Sequence, residues 1–135
     1  MRKSSGFSLI EILAVMIIVV LLVVLSVPIY TNYLIYSNRT DAIQTLLAIQ
    51  IAEEKYQLEN NTYGELNAVW NSSNSVSNHY QISISNVTSN SYTITATATG
   101  NQANDAQNGA SCATMILSYQ NNTTTKTPLV CWTMS

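Results

Sequence analysis

The sequence predicts an α+β chain in which one long N-terminal helix, apolar and membrane-spanning in its first half and amphipathic in its second, packs on a four-stranded antiparallel sheet. Three observations predict it. Eighteen of the 21 residues 7–27 are apolar, the apolar residues from 42 to 58 recur at helical spacing, and from residue 80 onward the pattern alternates with period two. The chain has 135 residues, 47% of them apolar but only 9% charged, with a formal net charge of −2 and a pI near 5.1. That is one small domain at most. Of the 76 residues 60–135, 36 are Ser, Thr or Asn, which suits strands and turns and argues against the core of a large enzyme.

The chain opens with the short basic segment MRKSSG, residues 1–6, followed by FSLIEILAVMIIVVLLVVLSV, residues 7–27. As a helix the second stretch covers about 31 Å, enough to cross a bilayer. A secretory signal would carry a shorter apolar core and a small-residue cleavage site after it; here the run is followed by Pro28-Ile29-Tyr30. Arg2 and Lys3 belong on the cytoplasmic side, which exports everything after Val27. Glu11 does not suit a plain anchor, because a carboxylate in the hydrocarbon costs about 3 kcal/mol. It needs either the headgroups or a cationic partner.

The helix is predicted to continue through Pro28, with a kink there because proline removes one backbone donor and crowds the carbonyl of Val24. Ile43, Leu47, Ile51 and Leu58 mark one face, with Ala42, Leu46, Ile49 and Tyr56 alongside, while Arg39, Asp41, Glu53, Glu54, Lys55 and Glu59 take the other positions. Asn60-Asn61 and Gly64 supply the stop. The predicted helix, residues 7–58, is about 78 Å long, and residues 59–135 form the head.

After an Asn- and Ser-rich loop, residues 62–78, the segments YQISIS (80–85) and SYTITATAT (91–99) read as strands joined by NVTSN. CATMILSY (112–119) is a third strand, Asn121-Asn122 a turn, and PLVCWTM (128–134) the fourth. Tyr80, Ile82, Ile84, Tyr92, Ile94, Met115 and Leu117 form the face that the amphipathic half of the helix covers. Cys112 and Cys131 have eighteen residues between them and no zinc-ligand spacing. A disulfide between them in an oxidising compartment is the expectation, with two free thiols as the alternative.

No nucleophile elbow, P-loop, zinc-protease or dinucleotide fingerprint occurs, so no catalytic, cofactor-binding or metal site is predicted. His79, the only histidine, follows a polar loop and reads as a surface residue at a hairpin start. Glu53, Glu54 and Glu59 read as a solvated helix face. Trp70 and Trp132 read as aromatics at the margin of the core or at an interface.

Gly6, then Phe7, then Glu11 four residues on inside an apolar helix is a specific combination, and through GFSLIEILAVMII and VPIYTNY the chain resembles the type IV pilins. SNRTDAIQTL, AEEKYQLENNTY, SYTITATATGNQANDAQ and the closing CW are similar to a subgroup of short Gram-negative pilins and minor pilins. The resemblance implies a leader cut after Gly6, N-methylation of Phe7, and a proline and tyrosines at Pro28, Tyr30 and Tyr33. It also implies a helix packed on a four-stranded sheet and a C-terminal loop enclosed by Cys112 and Cys131. Val20 stands where many members have a glycine, and more residues separate Asp105 from Cys112 than the family usually has.

The chemistry of such a filament follows. Without lipid, the apolar half-helix must be buried against its copies in neighbouring subunits. Removing the leader exposes an amine on Phe7, which at the depth of Glu11 of the preceding subunit sets axial register. The implied partners are identical or related pilin subunits, the inner membrane before assembly, the prepilin peptidase and the pilus assembly machinery, and no cofactor. The implied location is the inner membrane first and an extracellular filament afterwards. The leading expectation is thus a structural pilus subunit serving adhesion, twitching motility or DNA uptake. A DNA-binding minor pilin is disfavoured because only Arg39, Lys55 and Lys126 remain basic after the leader is removed. A type II secretion pseudopilin shares the N-terminus but usually lacks the disulfide loop.

Overall fold

The computed structural model describes residues 6–133. Of the predicted leader, residues 1–5 lie outside the described residues, as does Met134 of the predicted fourth strand. Helix α1 runs Leu9–Asn60, 52 residues, passing through Pro28 without a break in its helical assignment. The chain divides into two compact units, Met1–Leu34 and Ile35–Ser135. In the first unit the apolar residues of α1 are exposed along its whole circumference, Leu13, Val20 and Val24 among them. That distribution belongs to a surface built for lipid or for other helices rather than for water.

In the second unit β1 (Tyr80–Ser85), β2 (Ser91–Ala98), β5 (Thr114–Gln120) and β6 (Thr123–Thr127) make one antiparallel sheet in the order β1-β2-β5-β6. Between β2 and β5 a 3₁₀ turn (Gly100–Asn104) leads into the small hairpin β3 (Ala106–Gln107) and β4 (Ala110–Ser111). A short helix α2 (Leu66–Val69) follows α1 in what the sequence suggested was loop. The register sets Ile82 beside Ala96 and Met115, and Ile84 beside Ile94 and Leu117. All of them therefore point to the same face, where Ala42, Leu46 and Ile49 of α1 close the core. The opposite face carries Ser83, Thr95, Ile116 and Thr127 in a single rank. Period-two alternation thus put the apolar set inside, as predicted.

The fourth strand is not where the apolar run PLVCWTM suggested. Asn121 and Asn122 both hold positive φ, 46° and 69°, in a two-residue hairpin turn, so pairing resumes at once through TTTKT. Pro128 has no N–H to give a ladder, and Leu129–Trp132 forms a 3₁₀ turn instead. The helix face also differs from expectation. Ile51 and Leu58 are 68% and 81% exposed, whereas Arg39, Asp41 and Glu53 are buried with Ala42, Leu46 and Ile49. All three polar positions find partners in the loops, as described below, and the buried stripe runs Arg39, Ala42, Leu46, Ile49, Glu53.

Candidate functional site

Glu11 lies in the first turn of α1, where its N–H donates to the Ser8 carbonyl at 3.0 Å. Its side chain shares an apolar groove with Phe7, Ile12, Val15 and Met16. Among the described residues no basic side chain pairs with it. Gly6 and Phe7 precede the helix, and Phe7 is 80% exposed. Among the described residues the segment therefore presents a carboxylate without a basic partner on the apolar first half of α1, shortly after an exposed Gly-Phe bond. Such a carboxylate gains a great deal from a cation brought to it in a dry environment.

In the head, Arg39 is tied to the segment that follows β2. Its Nε donates to Asp105 Oδ2 at 2.7 Å and its Nη2 to Asp105 Oδ1 at 2.6 Å, with Nη1 donating to Gln107 Oε1. The hydrogen bond to Asp105 raises the guanidinium pKa further, against the opposing effect of burial. Gln102 Nε2 donates to the Ile35 carbonyl at 2.7 Å and to Tyr80 Oη at 2.9 Å. Burial pushes the Tyr80 phenol up to about 12, so it stays a neutral hydrogen-bonding group at any physiological pH. Two residues further along α1, Asp41 accepts from Ser75 Oγ at 2.5 Å and from Ser77 N at 3.0 Å. His79 Nδ1 approaches the same carboxylate at 3.4 Å.

Cys112 and Cys131 are joined by a disulfide, with Cα atoms 5.6 Å apart and both residues fully buried. The Cys112 N–H donates to the Asp105 carbonyl at 2.8 Å, so the bridge and the Arg39 pair fasten adjoining parts of one loop.

Residues 1–27 match the prokaryotic N-terminal methylation motif. Residues 28–116, more than half of the chain, match the family described as "Type IV minor pilin ComP, DNA uptake sequence receptor". The chain belongs to the type IV minor pilins. The comparison with curated proteins gives no match.

Of the pilin motif residues, Gly6 and Phe7 precede α1, Glu11 lies in its first turn, and Pro28 lies inside the same helix. Cys112 and Cys131 belong to the head. His79 stands at the start of β1 as expected, and Trp70 and Trp132 are half-buried against the core. Glu54 and Glu59 are solvated, but Glu53 is fully buried and corrects the reading of all three as one solvated face. The Arg39–Asp105 pair and the burial of Glu53 were missed. The available signal was spacing: 39, 42, 46, 49 and 53 describe one helical stripe, and charged residues at both its ends imply partners.

Internalising Arg39 changes the pilin's surface charge. Among the described residues, Lys55 and Lys126 are the remaining cations, and Lys126 is half-buried with its Nζ 5.0 Å from the centre of the Trp132 ring. No group of three or more potential ligand residues that could hold a metal ion occurs among the described residues.

Proposed function

We propose that this minor pilin is a structural subunit of a type IV pilus. It enters the inner membrane through residues 7–27, is cut between Gly6 and Phe7, is methylated on the new amine, and joins the filament by pairing that amine with Glu11 of a neighbour. The observation that carries the reading is the Glu11 carboxylate, without a basic partner among the described residues, on an exposed apolar helix one turn after the Gly6-Phe7 bond. Such a surface suits side-by-side packing with copies of itself. Negative-stain imaging of surface filaments with an antibody to the head tests it. The expected result is labelling along intact filaments, and labelling confined to the cell envelope would overturn it.

A second reading, capture of DNA during uptake, is favoured by the description of the family that matches residues 28–116. The two solvent-reaching lysines support no more than weak phosphate contact. If the head binds duplex DNA through Lys55 and Lys126, the log–log salt slope should be no steeper than about −2. A gel-shift titration with the full chain in detergent at low salt measures this. Absence of binding at concentrations of tens of micromolar would remove the reading.

A further inference from the structure

Glu53 is fully buried on the inner face of α1, and among the described residues no cation accompanies it. Its Oε2 accepts the Gly64 N–H at 2.8 Å, while Oε1 has no hydrogen-bond partner. This contact joins the end of the helix to the segment that leaves it. The approach of the Gly64 backbone is tight, since a Cβ there would lie 2.8 Å from Val69 Cγ1 and 3.2 Å from Tyr56 Cδ1. Next to Gly64, the Tyr63 ring meets Tyr92 of β2 edge-on at 4.7 Å and Tyr119 of β5 at 5.4 Å. The Tyr92 hydroxyl is a second buried polar atom without a partner.

The titratable groups that bear on Glu53 across the packing are acidic or phenolic, Glu65 and Tyr63 from the departing segment and Tyr92 from β2, while Glu54 and the cation Lys55 follow it on the exposed side of the helix, Lys55 beside Ala68 and Val69. A carboxylate in such a place faces desolvation and like charge with one N–H to offset them, whereas the neutral acid keeps that contact in weaker form and sheds the buried charge. We propose that Glu53 is a proton-operated latch: in its neutral form it holds residues 61–70 against the helix and the tyrosine cluster, and its ionisation releases them.

Burial raises the Glu53 carboxyl above its ordinary value of 4.5, the Gly64 N–H opposes this, and Glu65 adds to it. The closed segment then binds its proton more tightly than the open one does. The latch is fully engaged below the ordinary carboxyl value and weakens as pH rises toward the raised one. Across that window the opening constant of residues 61–70 should rise by about tenfold per pH unit and then level off.

The test is peptide-resolved amide hydrogen exchange on the full chain in detergent micelles, corrected for intrinsic rates, across the interval from about pH 4.5 to 8. Residues 61–70 should show the rise, with β2 and β5 flat. Glu53→Gln, which mimics the neutral acid, should make residues 61–70 flat as well. A pH-independent wild-type segment, or a Glu53→Gln chain keeping the wild-type slope, would overturn the latch. If the variant loses sheet protection and cannot be compared, carbon-13 titration of the wild-type Glu53 carboxyl decides. A midpoint at the ordinary value overturns the proposal, and a raised one supports it.

Discussion

Arg39 and Asp105, 66 residues apart, form a two-point ion pair inside the head, and both side chains are 2% exposed. The pair fastens the loop between β2 and β5 to the lower part of the head's helix. A guanidinium left there without its carboxylate would carry an uncompensated buried charge. Asp105→Ala should therefore lower the stability of the head by about 3–5 kcal/mol, whereas the double change Arg39→Met with Asp105→Leu should recover most of it. Urea unfolding of the full chain in detergent, followed by tryptophan fluorescence, measures both. Equal losses in the single and double variants would show that the pair is not the source.

The legible parts of this fold are those where one side of an element is buried against one partner. YQISIS, SYTITATA and TMILSYQ each carry an alternating pattern and became β1, β2 and β5 within a residue or two of expectation. The long apolar run of residues 7–27 located the first half of α1 by its composition. Misplaced elements were those decided by groups distant in sequence. Glu53 is buried because the Gly64 N–H reaches it, and Arg39 because Asp105 does. The pattern of α1 alone contains neither partner, so polar residues there read as solvent-facing. Strand β6 was missed because TTTKT has no apolar alternation. Its place is fixed by the Asn121-Asn122 turn and by pairing with β5 at a sheet edge. Of the candidate site, the isolated cysteine pair is a local anomaly in the sequence and is joined in the structure, and Glu11 stands out in the same way as a carboxylate inside an apolar run beside Gly6 and Phe7.

The Cys112–Cys131 bridge closes the β5–β6 hairpin together with the turn after it. A loop of this size contributes about 3 kcal/mol in the chain-entropy account. Cys131→Ser should cost the head about that amount and lower the amount of subunit in cells, since the small core holds little reserve. Intact mass of the wild-type chain should be two protons below the dithiol, and recovery of two free thiols from exported protein would contradict the bridge.

Among the described residues Gly6 has no neighbour within 4 Å of the place a Cβ would occupy, so a larger residue there meets no obstacle from them. Any effect of Gly6→Val must then arise where the leader is cut. The variant is expected to fold, to remain in the inner membrane as an uncut precursor, and to be absent from filaments. N-terminal sequencing of the wild-type subunit should begin at a methylated Phe7. Filaments built normally from the valine variant would remove the cleavage assignment.

Glu11→Leu separates an anchor from an assembling subunit by the sign of its effect. For a plain anchor the change removes a carboxylate that costs about 3 kcal/mol in the hydrocarbon, so insertion should improve and nothing else should suffer. For a subunit whose Glu11 receives the Phe7 amine of a neighbour, the same change leaves that amine buried without a partner, at about 3–5 kcal/mol per contact. The variant should be inserted and cut normally, should enter filaments rarely, and should be under-represented when expressed beside wild type. Because Glu11 touches no basic residue of its own described chain, the loss cannot come from the fold of the head. The measurement is the ratio of sheared-filament subunit to total cut subunit in cells. A wild-type ratio in the Glu11→Leu strain would falsify the pairing, because the apolar helix would then be sufficient to set the register by itself.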